Sequence, residues 1–290
     1  MPASDAGGCA HETSSPMKVS EAEERRAARF RRQIGTMLTP QQRHQWERDG
    51  YVPLGKVATD AEIGALRQRM DAIMLGEAPT EGIWFQLDGE SGEYGDLRFG
   101  DGSFQGPTLN YRKIEQLHRD PLFLAYIRHP VFRAMTRELI GPEISIYRAI
   151  FMNKPARRGT YLPYHQDGGT QWGLSRDPTV TIWTALDAAT IEHGCVQVAP
   201  GSHKLGLLSE RGHTIGPEQE AAHAPEEKSV YLEARVGEVY LLHNFLLHRS
   251  GINRTNAPRR AFSVCYMDAA TRYVGPGSPR TFPLVFGQDQ

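Results

Sequence analysis

The middle of the chain contains the stretch Tyr164-His165-Gln166-Asp167-Gly168-Gly169. Alternate side chains of a β-strand point to the same face of a sheet. A strand through residues 164–168 therefore directs His165 and Asp167 into one cavity and Gln166 to the opposite side. A triplet of this kind also arises by chance, and a surface histidine and aspartate on either side of a turn are the alternative.

A second imidazole comes from a distant part of the chain, at His248. Two imidazoles and one carboxylate can occupy one face of an octahedral metal ion, which leaves three adjacent positions open. Fe(II) oxygenases use this facial triad to bind a co-substrate and dioxygen side by side. His165, Asp167 and His248 are therefore the candidate metal ligands and catalytic residues.

His243 lies in the same apolar run as His248, from Val239 to His248. Their odd separation predicts that the two imidazoles lie on opposite faces of one strand. After His248 the chain continues through Arg249-Ser250-Gly251 into a turn.

A strand opening with two guanidinium groups, Arg259 and Arg260, follows that turn. Arginine matches a carboxylate with two parallel hydrogen bonds and stays charged when poorly solvated. One of the two is expected to hold the far carboxylate of a dicarboxylate co-substrate whose other end chelates iron. The other one would then point outward.

The composition is that of an ordinary globular protein. The 290 residues are 39% hydrophobic and 23% charged, with a net charge of -1, so no basic field favours nucleic acid. Three scattered cysteines (Cys9, Cys195 and Cys265) predict neither a disulfide framework nor a thiolate metal site. No apolar run is long enough for a membrane span, and no secretion signal is present. We expect a cytoplasmic protein whose partner is a small-molecule substrate.

The N-terminal part of the chain predicts a tail followed by helices. Residues 1–35 are rich in small and charged types and indicate a disordered or helical tail, and residues 36–290 indicate one domain. Thr39 opens a capped helix that ends at Gly50, and Thr59 opens a second one through about Met74. A third helix is expected from Pro121 to Gly141.

From residue 143 onward the pattern changes to short β-rich runs, with no later helical period. These runs lie at 143–147, 177–187, 194–198, 229–235, 238–243 and 260–267. Helices followed by strands predict a mixed α+β fold with a double-stranded β-helix (jelly-roll, cupin-like) core and N-terminal helices packed on one sheet. The glycine-rich segment 86–108 is interpreted as a lid or substrate loop.

The chain resembles the phytanoyl-CoA dioxygenase family of Fe(II)/2-oxoglutarate oxygenases from about Thr39 to Asp268. The resemblance is strongest in Asn153-Lys154-Pro155, Tyr164-His165-Gln166-Asp167, Ile182-Trp183-Thr184-Ala185-Leu186, Gly194 to Lys204, and His248-Arg249-Ser250-Gly251 through Arg259. It implies that His165, Asp167 and His248 hold iron, and that Arg259 with Ser250 binds the distal carboxylate of 2-oxoglutarate.

The resemblance also implies that Gln166, Trp183 and Lys113 lie around 2-oxoglutarate. For Gln166 this conflicts with the strand alternation, which directs its side chain away from the cavity. Trp183 as part of the sandwich core and Lys113 as a solvated helix-end residue are the alternatives.

The implied reaction uses Fe(II), 2-oxoglutarate and dioxygen to hydroxylate a C–H bond of a natural-product or lipid-like molecule, with release of succinate and CO2. The carboxylate of Asp167 favours hydroxylation over halogenation, because halogenating relatives carry a small residue there. Desaturation, cyclisation or epoxidation at the same site is an alternative. A non-catalytic ligand-binding jelly roll is another alternative. A cupin-type isomerase or a zinc hydrolase is a third, although neither of these two enzymes has a use for Arg259.

The sequence does not identify the substrate. Tyr94, Arg98, Tyr147 and Trp172 are candidate contacts, and Arg98 and Arg211 are candidates for binding an acidic group. The remaining histidines are given structural roles. His203, in a Pro-Gly-Ser-His turn, is expected to cap or pack, and His193, His213 and His223 are expected to be exposed in polar loops.

Overall fold

The structure, a computed structural model, describes residues 38–98, 100–209 and 212–287. The expected N-terminal tail and Arg211 lie outside these ranges. The helices are α1 Pro40–Asp49, α2 Asp60–Met74, α3 Pro121–Ile127, α4 Pro130–Leu139 and α5 Pro217–His223. The strands are β1 Tyr51–Lys56, β2 Trp84–Leu87, β3 Tyr111–Glu115, β4 Ile144–Lys154, β5 Leu162–Gln166, β6 Val180–Ala185, β7 Val196–Val198, β8 His213–Thr214, β9 Val230–Leu232, β10 Glu238–His243, β11 His248–Ser250, β12 Arg259–Asp268 and β13 Leu284–Phe286.

The strands form two antiparallel sheets, as the predicted jelly roll requires. The larger sheet has the order β1-β10-β6-β12-β4-β3-β2, and β13 also pairs with β4. The smaller sheet has the order β8-β5-β11-β7-β9. Apart from β2, β3 and β4, which are consecutive, the strands that pair are not consecutive in sequence, which is typical of Greek-key connections. One buried apolar cluster joins the sheets, with Trp183 and Ala261 from the larger sheet and Val198 and Leu232 from the smaller one. The mixed α+β fold with a jelly-roll core is confirmed.

The N-terminal helices cover the outer face of the larger sheet. The ring of Phe123 in α3 lies 4.9 Å from that of Phe262 in β12, and the Tyr126 hydroxyl bonds to Thr184 of β6 at 2.9 Å. Helix α2 turns a row of buried residues toward the same layer, including Leu66 and Met70. This packing confirms the prediction that the helices lie against one sheet and leaves the other face of that sheet free to line a cavity.

The predicted helix starts agree closely with the structure. Thr39 and Thr59 each form a capping box with a side chain three residues later, at the start of α1 and of α2. Gly50 ends α1 in the left-handed conformation, with φ of 79°.

The predicted third helix is wrong in its length, because the chain forms two helices. Helix α3 ends at Ile127, and α4 begins at Pro130. Proline has no N–H and disfavours helical geometry in the residue before it. His129 is accordingly extended, with ψ of 135°, and its Nδ1 accepts a bond from Val131 as the cap of α4.

The expectation of no helix after residue 143 is also wrong. Helix α5 occupies Pro217–His223, and none of its residues is buried. A helix this short and exposed has too few apolar side chains to produce a hydrophobic period.

Candidate active site

The two candidate imidazole ligands come from neighbouring strands of the smaller sheet. His165 on β5 and His248 on β11 are register partners, and their ring centroids are 4.0 Å apart. Asp167 follows β5, and its backbone N–H donates to the carbonyl of Asn244 at 2.8 Å. One ligand atom from each of the three side chains lies within 4.8 Å of the others.

Hydrogen bonds orient both imidazoles toward a common point. Nδ1 of His165 donates to the Pro163 carbonyl at 2.9 Å, and Nδ1 of His248 donates to the Leu246 carbonyl at 2.9 Å. Nε2 of each ring is then left for a metal ion. Burial and the nearby His248 hold the pKa of His165 well below its usual value, so its imidazole stays neutral, as a ligand requires.

Asp167 completes the triad as an ionised carboxylate. One oxygen accepts a hydrogen bond from Nη2 of Arg148 at 2.8 Å, and the other lies 4.0 Å from Nε2 of His248. Burial acts to raise the pKa of Asp167, but Arg148 and the imidazoles lower it to about 2. Two imidazoles and one carboxylate with converging donor atoms fit Fe(II).

The predicted single strand carrying His243 and His248 is wrong. His243 ends β10 in the larger sheet, whereas His248 starts β11 in the smaller one, because a turn separates them. Nδ1 of His243 accepts a bond from the N–H of Phe245 at 3.0 Å, and its ring packs 5.0 Å from that of His203. His203 therefore packs, as expected, and the structure assigns neither histidine to the triad.

Arg259 and Arg260 point to opposite faces of β12. Arg259 is 3% exposed and lines the cavity, and its Nη2 donates to the Gly194 carbonyl at 3.2 Å. Its Nε is buried without a hydrogen-bond partner among the described residues, and burial lowers the pKa of the group to about 10. A buried cation with an unused donor fits the far carboxylate of 2-oxoglutarate.

Arg260 corrects the expectation that the second guanidinium points outward. It is 8% exposed and lies beneath the helices. It bonds to Asp187 at 2.6 Å and to Asp71 of α2 at 2.5 Å. These ion pairs attach α2 to the sheet.

Lys113, Trp183 and Ser250 also line the cavity. Lys113 lies on β3 and pairs with Glu115, so it is not a helix-end residue. Trp183 is 2% exposed, and its Nε1 is buried without a hydrogen-bond partner in the described part of the chain. Trp183 is therefore both part of the apolar core and a possible donor to a ligand.

Gln166 lies away from the cavity, which corrects the placement that the resemblance implied. Its amide donates to the carbonyls of Gly206 at 2.8 Å and Phe245 at 2.6 Å, and accepts from the N–H of Leu208 at 2.7 Å. The strand alternation predicted this side correctly. Gln166 therefore connects the loop containing Gly206 and Leu208 with the loop containing Phe245, behind the triad.

The sequence reasoning missed two residues beside the triad, Arg148 and His213. Arg148 bonds to Asp167, as described above. His213 was expected to be exposed, but it lines the cavity, and its ring packs edge-on against His165 with centroids 5.1 Å apart. It bonds to the Tyr94 hydroxyl and adopts a left-handed φ of 78°, which is rare outside glycine.

A cavity of about 340 Å³ connects these groups. It contains the triad and Arg259, together with Tyr94 and Trp172 from the predicted substrate contacts. This volume falls within the roughly 300–1,000 Å³ usual for small-molecule sites. Among the described residues, none of the helices has the length and apolar character needed to span a bilayer.

Comparison with known proteins places this geometry in context. A sequence model of the family described as Phytanoyl-CoA dioxygenase (PhyH) matches residues 46–261. A probable phytanoyl-CoA dioxygenase from Caenorhabditis elegans is 26% identical over 253 residues, which cover 83% of this chain and 79% of that protein.

Solved structures share the fold. EctD from S. alaskensis, crystallised with 2-oxoglutarate and 5-hydroxyectoine, superposes with a TM-score of 0.67 at 22% identity, covering 84% of this chain and 82% of that one. SnoK, a non-heme alpha ketoglutarate dependent carbocyclase from nogalamycin biosynthesis, superposes with a TM-score of 0.64 at 22% identity, covering 85% of this chain and 96% of that one.

Proposed function

The chain belongs to the phytanoyl-CoA dioxygenase family, and on that premise we propose that it hydroxylates a C–H bond of a small natural-product or lipid-like molecule. It is a non-haem iron, 2-oxoglutarate-dependent dioxygenase. The observation that carries the proposal is the presence in one cavity of the triad and of the buried Arg259, whose Nε has no hydrogen-bond partner among the described residues.

Each residue has a proposed role in holding the reactants. His165, Asp167 and His248 would hold the iron, the histidines with Nε2, which their Nδ1 hydrogen bonds leave free, and Asp167 with its carboxylate. Arg259 would donate to the distal carboxylate of 2-oxoglutarate, and Ser250, which lines the same cavity, would assist it. Lys113, which pairs with Glu115, lines the cavity as a further contact for the co-substrate, and Trp183 offers it an indole N–H that has no partner among the described residues.

The chemistry that iron supplies when bound is the oxidative decarboxylation of 2-oxoglutarate by dioxygen to succinate and CO2, coupled to attack on a C–H bond. The protein contributes position and the exclusion of water. Arg148 keeps the carboxylate of Asp167 ionised and oriented, and the two backbone carbonyls fix the imidazoles. Apolar side chains such as Ile150 and Met152 line the wall between the charged ends of the cavity.

Hydroxylation is proposed over halogenation because Asp167 provides a carboxylate at the third ligand position. The relatives support a small organic substrate: the EctD structure contains 5-hydroxyectoine, and SnoK is a carbocyclase. Cyclisation, desaturation and epoxidation use the same iron site, since the outcome depends on where the substrate carbon sits. The mass of the product separates them into two pairs, because hydroxylation and epoxidation each add one oxygen atom, whereas desaturation and cyclisation each remove two hydrogens.

The test begins without oxygen. Addition of Fe(II) and then 2-oxoglutarate to the protein is expected to produce the weak visible charge-transfer band of the chelated co-substrate. In air, succinate release is then measured across classes of small molecules to find the compound that stimulates it. Iron binding without any band would contradict the proposed function.

A further inference from the structure

Arg148 stands at the metal end of the cavity, in a row of side chains that line it from β4. That row consists of Arg148, Ile150, Met152 and Lys154. Nη2 of Arg148 donates to Oδ1 of Asp167 at 2.8 Å. The carboxylate of Asp167 therefore lies between this guanidinium and the point where the ligand atoms of the triad converge.

An aromatic stack holds this guanidinium in place. Its central carbon lies 4.5 Å from the centre of the Trp172 ring, and Trp172 in turn stacks on Tyr147 at 4.4 Å with an interplanar angle of 16°. Stacking on a ring face fixes the plane of an arginine and leaves its edge available for hydrogen bonds.

Most hydrogen-bond donors of Arg148 are unused. A guanidinium carries five N–H groups, and within the described residues Arg148 makes one hydrogen bond, to Asp167. The side chain is 24% exposed although it lies inside the fold, because it borders the cavity. The open donors therefore face space that a ligand can fill.

The charges lining the cavity favour an anion. Six basic side chains and one acidic side chain, Asp167, are among the described residues that line it; the basic residues are Arg112, Lys113, Arg148, Lys154, Arg249 and Arg259. Burial, together with Arg259 and Arg112, holds the pKa of Lys154 well below its ordinary value, so Lys154 is the weakest of these cations. Lys113 pairs with Glu115, and Arg249 pairs with Glu220 and Glu226, outside the lining. Fe(II) and doubly charged 2-oxoglutarate cancel one another, so their binding leaves the cavity positive.

Arg259 and Arg148 lie at different ends of this cavity. Arg259 pairs in register with Lys154, and Arg148 pairs with Cys265 of the same strand. Lys154 and Arg148 are roughly 20 Å apart along β4 at about 3.3 Å per residue. The two arginines therefore enter the cavity from well-separated points of its wall. Asp167 must share its single charge between Arg148 and the metal, so Arg148 has capacity for a second anion.

We propose that Arg148 binds a carboxylate or phosphate group of the organic substrate and holds a neighbouring carbon at the metal site. The inference rests on the proposed function and names its substrate class, acidic molecules. Arg148 is thus a specificity-determining residue, and the Trp172–Tyr147 stack is the support that positions it.

The test uses probes that differ in charge at nearly constant shape. The anaerobic complex of the protein with Fe(II) and 2-oxoglutarate is titrated with hexanoate and phenylacetate against their primary amides, and with hexyl phosphate against hexanol. The readout is the shift of the charge-transfer band as a probe enters the site. We expect the acids to act at concentrations at least about tenfold below those of their neutral partners, as a charge-assisted hydrogen bond requires. For each pair we compare the concentration at which the neutral probe acts with that at which the acid acts. The pair with the larger ratio shows whether Arg148 prefers a carboxylate or a phosphate.

Three variants locate the effect. Arg148→Gln is expected to remove the preference for acids while the band with 2-oxoglutarate persists, and Arg148→Lys is expected to keep part of it. Arg176→Gln, which removes a cation that is 72% exposed and does not line the cavity, is expected to retain the full preference.

Several results would overturn the inference. One is the finding that, in the unchanged protein, no acid acts at a lower concentration than its neutral partner. This comparison does not depend on whether a variant folds. Another is a preference that survives in Arg148→Gln, because the acids would then bind iron directly. A third is a loss of 2-oxoglutarate affinity in Arg148→Gln that equals its loss of acid affinity, since Arg148 would then serve the co-substrate. A missing band in the unchanged protein contradicts the proposed function itself, and the inference falls with it.

Discussion

His165 and His248 face each other across two neighbouring antiparallel strands, with their ring centroids 4.0 Å apart. The pair exists because β5 and β11 align in the register that sets His248 opposite His165. A shift of one residue turns every side chain of a strand to the opposite face. The metal site is therefore a property of strand pairing in the smaller sheet, and its third member, Asp167, is held by Arg148 from the larger sheet.

Replacement of Asp167 by alanine is expected to weaken Fe(II) binding by more than about 100-fold, because a charged ligand is lost and not merely its support. Substrate-dependent succinate release should disappear with it. Both are measured by anaerobic iron titration and by product analysis. Asp60→Ala, at an exposed carboxylate, is the matched control and should behave as the unchanged protein. Unaltered iron affinity in Asp167→Ala would remove Asp167 from the metal site.

Replacement of Arg259 by glutamine is expected to raise the Kd for 2-oxoglutarate by about 10- to 100-fold, the usual cost of a charge-assisted hydrogen bond. Iron affinity should stay the same, because Arg259 touches none of the triad. Titration of the charge-transfer band gives both constants. The exposed Arg254→Gln serves as the control. A Kd that matches that of the control would show that another group holds the distal carboxylate.

Gln166 distinguishes a structural role from a co-substrate role. Gln166→Leu leaves the carbonyls of Gly206 and Phe245 and the N–H of Leu208 without their partner. We expect the free energy of unfolding to fall by about 3 kcal/mol, while the Kd for 2-oxoglutarate of the folded variant is unchanged. Urea unfolding and band titration measure the two quantities, with the exposed Gln41→Leu as control. A normal stability with a weakened Kd would restore Gln166 to the co-substrate pocket.

The stability of the metal-free protein should depend on pH through His243. Burial, with a contribution from His203, lowers its pKa from 6.5 to about 4. As the pH falls through 6.5, the unfolded chain takes up a proton that the folded protein does not, so stability decreases until about pH 4 and then no longer changes on account of this group.

His243→Asn can still accept the bond from Phe245 and removes the titrating group. We expect the free energy of unfolding of this variant to depend less on pH between 6.5 and 4, by on the order of 2 kcal/mol over the interval. Denaturant titrations at stepped pH measure the difference. Parallel curves for the two proteins would contradict the lowered pKa.

Local sequence rules predicted much of this fold. Thr39 and Thr59 signalled their helices because a capping box involves only residues three apart, and the alternation around His165 gave the correct side for Gln166. The break before Pro130 follows the rule that a proline disfavours helical geometry in the residue that precedes it. The apolar pattern continues past Pro130, and its length led to the prediction of a single helix.

The residues around the triad depend on pairing across sheets, which sequence spacing does not encode. The run from Val239 to His248 divides between two sheets, and nothing in its apolar pattern marks the turn. Arg148 had one signal, a cation that interrupts an apolar stretch between Ile146 and Ile150. The pairing of Arg148 with Asp167 cannot be predicted from the sequence, because it depends on β4 and the end of β5 lying across one cavity.

The most direct measurement is a crystal structure grown without oxygen in the presence of Fe(II) and 2-oxoglutarate. We expect one iron ion bound by His165, Asp167 and His248, with the distal carboxylate of the co-substrate on Arg259. A structure in which His248 lies away from the iron, or in which Arg259 faces bulk water, would contradict it.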